Sequence, residues 1–289
     1  MQVLRAILFM TASMACLALS DLFIKLSAQS LPPGQVMFFL SLGGTLLFML
    51  IAALRGIPLV SPAFWHPTVM SRNLAEVLAA LGMVTGIAWT PLPMVAAIMQ
   101  TTPLLVTLGA ALFLGDPVGW RRWSAILVGM LGVLLVIRPG MDSFQALSLL
   151  AVLGVLGLSL RDLATRRVPK STSTFQLSFL AFLALVPASL LFMLGTGTAF
   201  APMTGVQWLF MGAALTTGMV AYYGIVAAMR IGEISFVTPF RYARLLFAMV
   251  VGITIFGERP DLLTYVGATI IVASGIYTVW RERKVKEQA

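Results

Sequence analysis

Ten apolar runs, each close to the length that crosses a bilayer, follow one another along a chain of 289 residues with only short polar breaks between them. They lie at about residues 3–26, 34–54, 72–88, 93–113 and 120–137, and then at 144–163, 175–194, 208–228, 235–256 and 262–280. A membrane helix needs about 20 apolar residues, whereas a barrel strand needs about ten alternating ones, so the runs read as helices. Hydrophobic residues make up 60% of the chain and charged ones 10%, against about 25% charged in soluble domains. A water-soluble fold is excluded. The expected fold is all-α, integral to the membrane and multi-pass, with ten transmembrane helices and little length left for an extramembrane domain.

The net charge of +9 is explained by where the basic residues fall, not by nucleic acid. With the N-terminus in the cytoplasm, that side receives Arg5, Arg55, Arg72, Arg121, Arg122, Arg161, Arg166, Arg167, Lys170, Arg230, Arg281, Arg283, Lys284 and Lys286. The opposite side receives Lys25, Arg138 and Arg259. The excess of basic loops on the cytoplasmic face puts both N- and C-termini there and points to a cell inner membrane. The tryptophans Trp65, Trp89, Trp120, Trp123, Trp208 and Trp280 all fall at run ends or in loops, as an interfacial belt requires. The first run resembles a signal peptide but is followed by nine others and reads as the first span. The single cysteine, Cys16, has no partner for a disulfide and reads as a small apolar filler.

The two halves are related by an offset near 141 residues. Asp21-Leu22 with Lys25 falls on Asp162-Leu163 with Arg166, Gln35 on Gln176, Gly115-Asp116 on Gly257-Glu258, and Gly132 with Arg138 on Gly275 with Arg281. The order of these matches is collinear. The expected domains are residues 1–140 and 141–289, five helices each. An odd number of crossings per repeat inverts the second half relative to the first, the usual basis of alternating access around a midplane site.

The stretch from Leu92-Pro93-Met94 through Thr102-Pro103-Leu104 to Gly115-Asp116 resembles the fourth-helix signature of the drug/metabolite transporter superfamily. Pro239-Phe240-Arg241-Tyr242 through Gly257-Glu258-Arg259-Pro260, with Gly275-Ile276-Tyr277, is similar to that family's second EamA repeat. The resemblance covers nearly the whole chain and implies ten helices, a central cavity and carriage of small organic solutes without ATP. Pro32-Pro33-Gly34 looks closest to the riboflavin and S-adenosylmethionine uptake-like group. Many relatives place an arginine early in the second helix, where this chain reads Met37 to Ser41, so no substrate contact is carried over to that position.

Charged groups deep in a membrane need a partner or a wet cavity, because each costs at least about 2.5–3.5 kcal/mol there. Arg241 and Arg244 lie about 9 and 13 Å into the ninth span when counted from Ser235 and share a helix face. They bind an anionic group of a substrate, or they are held by interhelical ion pairs, Glu76 being within reach of Arg241. Glu76 is either a proton-coupling carboxylate or that structural partner. Asp21 with Lys25, and Asp162 with Arg166, read as local pairs four residues apart. Gln100, Thr101 and Thr102 precede Pro103 at mid-membrane and, by the repeat, face Tyr242, Ala243 and Arg244. Tyr222 and Tyr223 stand mid-span, where at least one is expected to face a cavity. Gly82 with Gly86, Gly154 with Gly157, and Gly267 with Gly275 read as sites of close helix approach.

No phosphate-binding loop, nucleophile elbow or cluster of His and Cys suited to a metal occurs, so no cofactor or metal is implied and the chain does not read as an enzyme. The expected function is secondary active transport of a small anionic or zwitterionic metabolite of aromatic or amino-acid-like kind, driven by protons or exchange. A passive channel, or an enzyme on a lipid-linked phosphate using Arg241 and Arg244, is the alternative.

Overall fold

In the computed structural model the described residues are 2–60, 62–115, 119–139, 141, 145–169, 172–231 and 237–286. Asp116, Phe144, Lys170 and Ser235 lie outside them. Among the described residues every regular element is helical: α1 Gln2–Ala28, α2 Pro33–Arg55, α3 Pro67–Trp89, α4 Leu92–Met99, α5 Thr102–Gly109, α6 Trp120–Ile137, α7 Ser148–Thr165, α8 Thr174–Gly195, α9 Gly205–Ile231, α10 Ala243–Phe256 and α11 Leu262–Lys286. Two breaks matter. α4 and α5 form one bent crossing that ends in a π turn at Ala110–Leu114, and α10 is entered through a 3₁₀ turn at Thr238–Tyr242.

Local chemistry sets many of the boundaries. Pro33 and Pro67 stand in the first turns of α2 and α3, where a missing N–H costs nothing. Ser173 and Gln176 form a reciprocal capping box at the start of α8. Gly115 and Gly257, equivalent in the two halves, end their helices in the left-handed region at φ +71° and +63°, a conformation that a Cβ disfavours.

Nine segments among the described residues are long and apolar enough to cross a membrane. α3, though 23 residues long, is not one of them, because Arg72, Asn73 and Glu76 occupy its first turns. It nevertheless runs the depth of the bundle. Its contacts with α7 pass from Glu76 opposite Arg161, through Ala79 opposite Gly157 and Gly82 opposite Gly154, to Gly86 opposite Ala151. The two helices are therefore antiparallel and coextensive.

The halves are laced together rather than set side by side. The most extensive pairings are α3 with α7, α1 with α9, α6 with α11 and α2 with α8, and α4 packs on α10. Exchanging the halves turns the α3–α7 pair into the α9–α1 pair and leaves the other three pairs unchanged. Equivalent helices meet antiparallel: Gly34 lies against Met193 and Gly44 against Phe182 between α2 and α8, and Gly132 against Gly267 and Gly129 against Ser274 between α6 and α11.

The bundle has a near end, where α1 begins and α11 finishes, and a far end, where α1 meets α2. Equivalent glutamines tie loops across both. Gln35 Nε2 donates to Ala201 O at 2.8 Å at the far end, and Gln176 Nε2 donates to Pro58 O at 2.8 Å at the near end. Also at the far end, Arg138 binds Asp261. That guanidinium, with the Thr264 hydroxyl and N–H, holds the Asp261 carboxyl down to about 2.

Candidate functional site

The axis relating the halves can be located from one contact. Gln100 Nε2 donates to the carbonyl of Arg241 at 3.2 Å, and these residues are 141 apart, the repeat offset itself. Both crossings break there. Pro103 lacks the N–H that would continue α4 into α5, and Pro239 stands in the 3₁₀ turn before α10. Two carbonyls beside the break accept neighbouring hydroxyls: Thr101 Oγ1 donates to Ile98 O at 2.6 Å, alongside the Thr101 N–H, and Thr102 Oγ1 donates to Met99 O at 2.7 Å. Both threonine side chains serve the break. Gln100 is the polar group of the three that reaches across.

Toward the far end, two ion pairs connect α1 to the ninth crossing and to the loop that follows it. Arg244 grips Asp21 through both Nη2, at 2.7 and 2.9 Å, and Nε, at 3.1 Å. Asp21 is 3% exposed. One turn further out, Lys25 Nζ binds Glu258 Oε1 and donates to Thr90 O at 2.8 Å, while lying 4.9 Å above the Phe256 ring. The other oxygen of Glu258 accepts the Leu92 N–H at 3.0 Å. The local Asp21–Lys25 pair expected from the sequence is thus replaced by two long-range pairs, because the facing helix supplies better partners than the next turn does.

At the near end a second charged group surrounds the start of α3 and the end of α7. Glu76 bridges Arg72 at 3.2 Å and Arg161 at 3.3 Å, and Arg161 also holds Asp162 at 2.8 Å. The expected partners, Arg241 for Glu76 and Arg166 for Asp162, are displaced by Arg72 and Arg161. The Arg241 side chain is exposed. It makes no ion pair with a described residue, and Asp162, Arg161 and Arg244 lie within its electrostatic reach.

Between α1, α2, α8 and α9 lies a cavity of about 290 Å³ walled by Phe48, Phe182 and Met219, with Ser20, Ser178 and Tyr222 as its polar groups. Tyr222 is within electrostatic reach of Arg72. Tyr223 is not part of its lining and is 74% exposed on the outside of the bundle. Tyr242 is buried, its hydroxyl lies against Gly275, and it finds no hydrogen-bond partner among the described residues.

Of the residues singled out from the sequence, Gln100 and Arg241 meet at the axis, Arg244 stands on the far side of them, Glu76 belongs to the near-end charged group, and Tyr222 lines the cavity. Asp21, Glu258, Arg72 and Arg161 belong to the same arrangement and were not singled out as site residues. Their signal was the shared one of ionisable groups within apolar runs.

This is a polytopic membrane protein built from two similar halves laced together, with a largely apolar cavity between α1, α2, α8 and α9. Residues 4–138 and 146–280 each match the EamA-like transporter family, and the chain belongs to that family, a bacterial family of multi-pass membrane transporters. Its relatives include a protein named riboflavin transporter from Vibrio cholerae, 30% identical over 194 residues that cover 66% of this chain and 64% of that protein. Another, named S-adenosylmethionine uptake transporter, comes from Rickettsia felis and is 23% identical over 221 residues, 74% of each chain. A solved crystal structure aligns over 97% of this chain and 98% of its own with a TM-score of 0.62 and 17% identity, a likeness of fold.

Proposed function

We propose that the protein is a secondary carrier that moves a small organic solute across the inner membrane by alternating access between two inverted five-helix repeats, residues 1–140 and 141–289. The antiparallel meeting of equivalent helices supports the inversion, and the distribution of basic residues supports cytoplasmic termini, which makes the near end the cytoplasmic one. Direction comes from exchange or proton coupling. The solute has an anionic or zwitterionic portion and a flat apolar body, the latter matched by the Phe48, Phe182 and Tyr222 walls of the cavity. The observation that carries the reading is the contact of Gln100 with Arg241. Two broken crossings meet at the axis, with one set of ion pairs beyond them and a cavity before them, the placement that a carrier's midplane site has.

Counterflow in liposomes tests this. Vesicles containing the purified protein are loaded with unlabelled riboflavin or S-adenosylmethionine and diluted into a trace of the labelled compound. A carrier accumulates label transiently above equilibrium. Flux that neither saturates nor responds to the internal load would replace the carrier by a channel.

A further inference from the structure

Among the described residues of the near-end group the cations outnumber the carboxylates: Arg72 and Arg161 surround Glu76, Arg161 holds Asp162, and Arg241 lies within electrostatic reach of Asp162 and Arg161. Glu76 lies between Arg72 and Arg161, and Asp162 is held by Arg161 through Nε at 3.0 Å and Nη2 at 2.8 Å. Arg244, the next cation inward, is already neutralised by Asp21. Arg241 therefore makes no ion pair with a described residue, because Asp162, the carboxylate within its electrostatic reach, is held by Arg161. A second observation points the same way. Arg72 is 9% exposed, its Nη1 donates to Leu177 O at 3.0 Å, and its Nε is buried with no acceptor among the described residues. Buried N–H groups are nearly always satisfied, so an orphan marks a place where a ligand atom or a rearrangement completes the set.

The neighbourhood suits an oxyanion. Guanidinium groups offer planar forks that match carboxylate and phosphate, and several within electrostatic reach of one another repel until an anion joins them. Leu177, whose carbonyl Arg72 holds, adjoins Ser178, and Ser178 and Tyr222 line the apolar cavity. Arg72 thus meets α8 one residue from the cavity wall, and Tyr222 of that wall is within its electrostatic reach.

We propose that Arg241, backed by Arg72 and Arg161, forms the subsite for the carboxylate or phosphate of the solute, whose body occupies the cavity beyond Tyr222 and Ser178. Arg244 is then a latch to Asp21 rather than the anion ligand. This rests on the carrier reading above, but its test is separate from the test of that reading.

The test compares molecules that differ by one anionic group, using thermal unfolding of the detergent-purified full chain, where no lipid headgroup competes. One pair is riboflavin 5′-phosphate and riboflavin, and the other is S-adenosylmethionine and its decarboxylated form. At least one anion-bearing member stabilises the wild type more than its partner does. Arg241→Ala weakens that response by roughly tenfold or more in apparent affinity, and Arg241→Lys, which keeps the charge but not the fork, retains part of it. Equal responses within both pairs, an Arg241→Ala protein that responds as wild type does, or no response to either anion would each overturn the subsite. Counterflow of the neutral members with no anion preference would also sink it while leaving the carrier intact. Absence of counterflow for every compound would count against the carrier reading itself.

Discussion

Arg244 is fixed by Asp21 across 223 residues of sequence, and the pair is buried, with side-chain exposures of 12% and 5%. In such a site, removing one charge leaves the other stranded, which costs about 3–5 kcal/mol, whereas replacing both by apolar groups of similar size is often neutral. Asp21→Asn is therefore expected to lower the unfolding midpoint markedly, and the double replacement Asp21→Leu with Arg244→Met to recover most of it without recovering transport. A double variant as unstable as the single one would show that the pair is not an isolated unit. The depth of Arg244 and its need for a partner were legible in the sequence. The partner was not, because spacing along a helix exposes only neighbours three or four residues away, and so Asp21 was matched with Lys25 and Asp162 with Arg166. The facing helices of the laced bundle decide these pairings, and nothing local encodes them.

Among the elements, the α3–α7 seam is the closest packed. A Cβ on Gly82 would meet Leu150 O at 2.5 Å and Gly154 Cα at 2.7 Å, and one on Gly154 would meet Met83 N at 2.9 Å. These are backbone atoms and cannot swing aside. Gly82→Val is expected to cost about 1–3 kcal/mol or more through overpacking, seen as a lower unfolding midpoint and a poorer monodisperse yield. Gly212→Ala on α9, where nothing lies within 4 Å of the added carbon, should be silent, and equal effects at the two positions would refute the seam. Gly82 and Gly154 were readable as approach sites from their small size. What sequence did not supply was which helix each approached. The break before Pro103 was readable too, since the ring removes a donor wherever it stands. The bonds that the Thr101 and Thr102 hydroxyls make to Ile98 O and Met99 O beside that break were not.

At the scale of the whole molecule, the far end is tied together by polar contacts between the halves. Lys25, Glu258, Thr90 O and Leu92 N join α1, the α10–α11 loop and the junction of α3 with α4 in one knot, with Asp21 and Arg244 behind it. The two kinds of closing group differ in what their removal does. Glu258→Gln leaves an amide oxygen to accept the Leu92 N–H but deletes the ion pair to Lys25, so it loosens the knot without freeing the start of α4. Ser20, on the cavity wall behind Asp21, reports on the outcome. In a Cys16→Ala background, Ser20→Cys in intact cells is expected to react slowly with a membrane-impermeant maleimide, and several-fold faster once Glu258→Gln is added. Lys25 then loses its partner across the halves, and the population shifts toward states open at that end. A reaction rate unchanged by Glu258→Gln would mean that the Asp21–Arg244 pair alone closes the far end, and that the Lys25–Glu258 pair fastens the loops to one another rather than gating the passage between the halves.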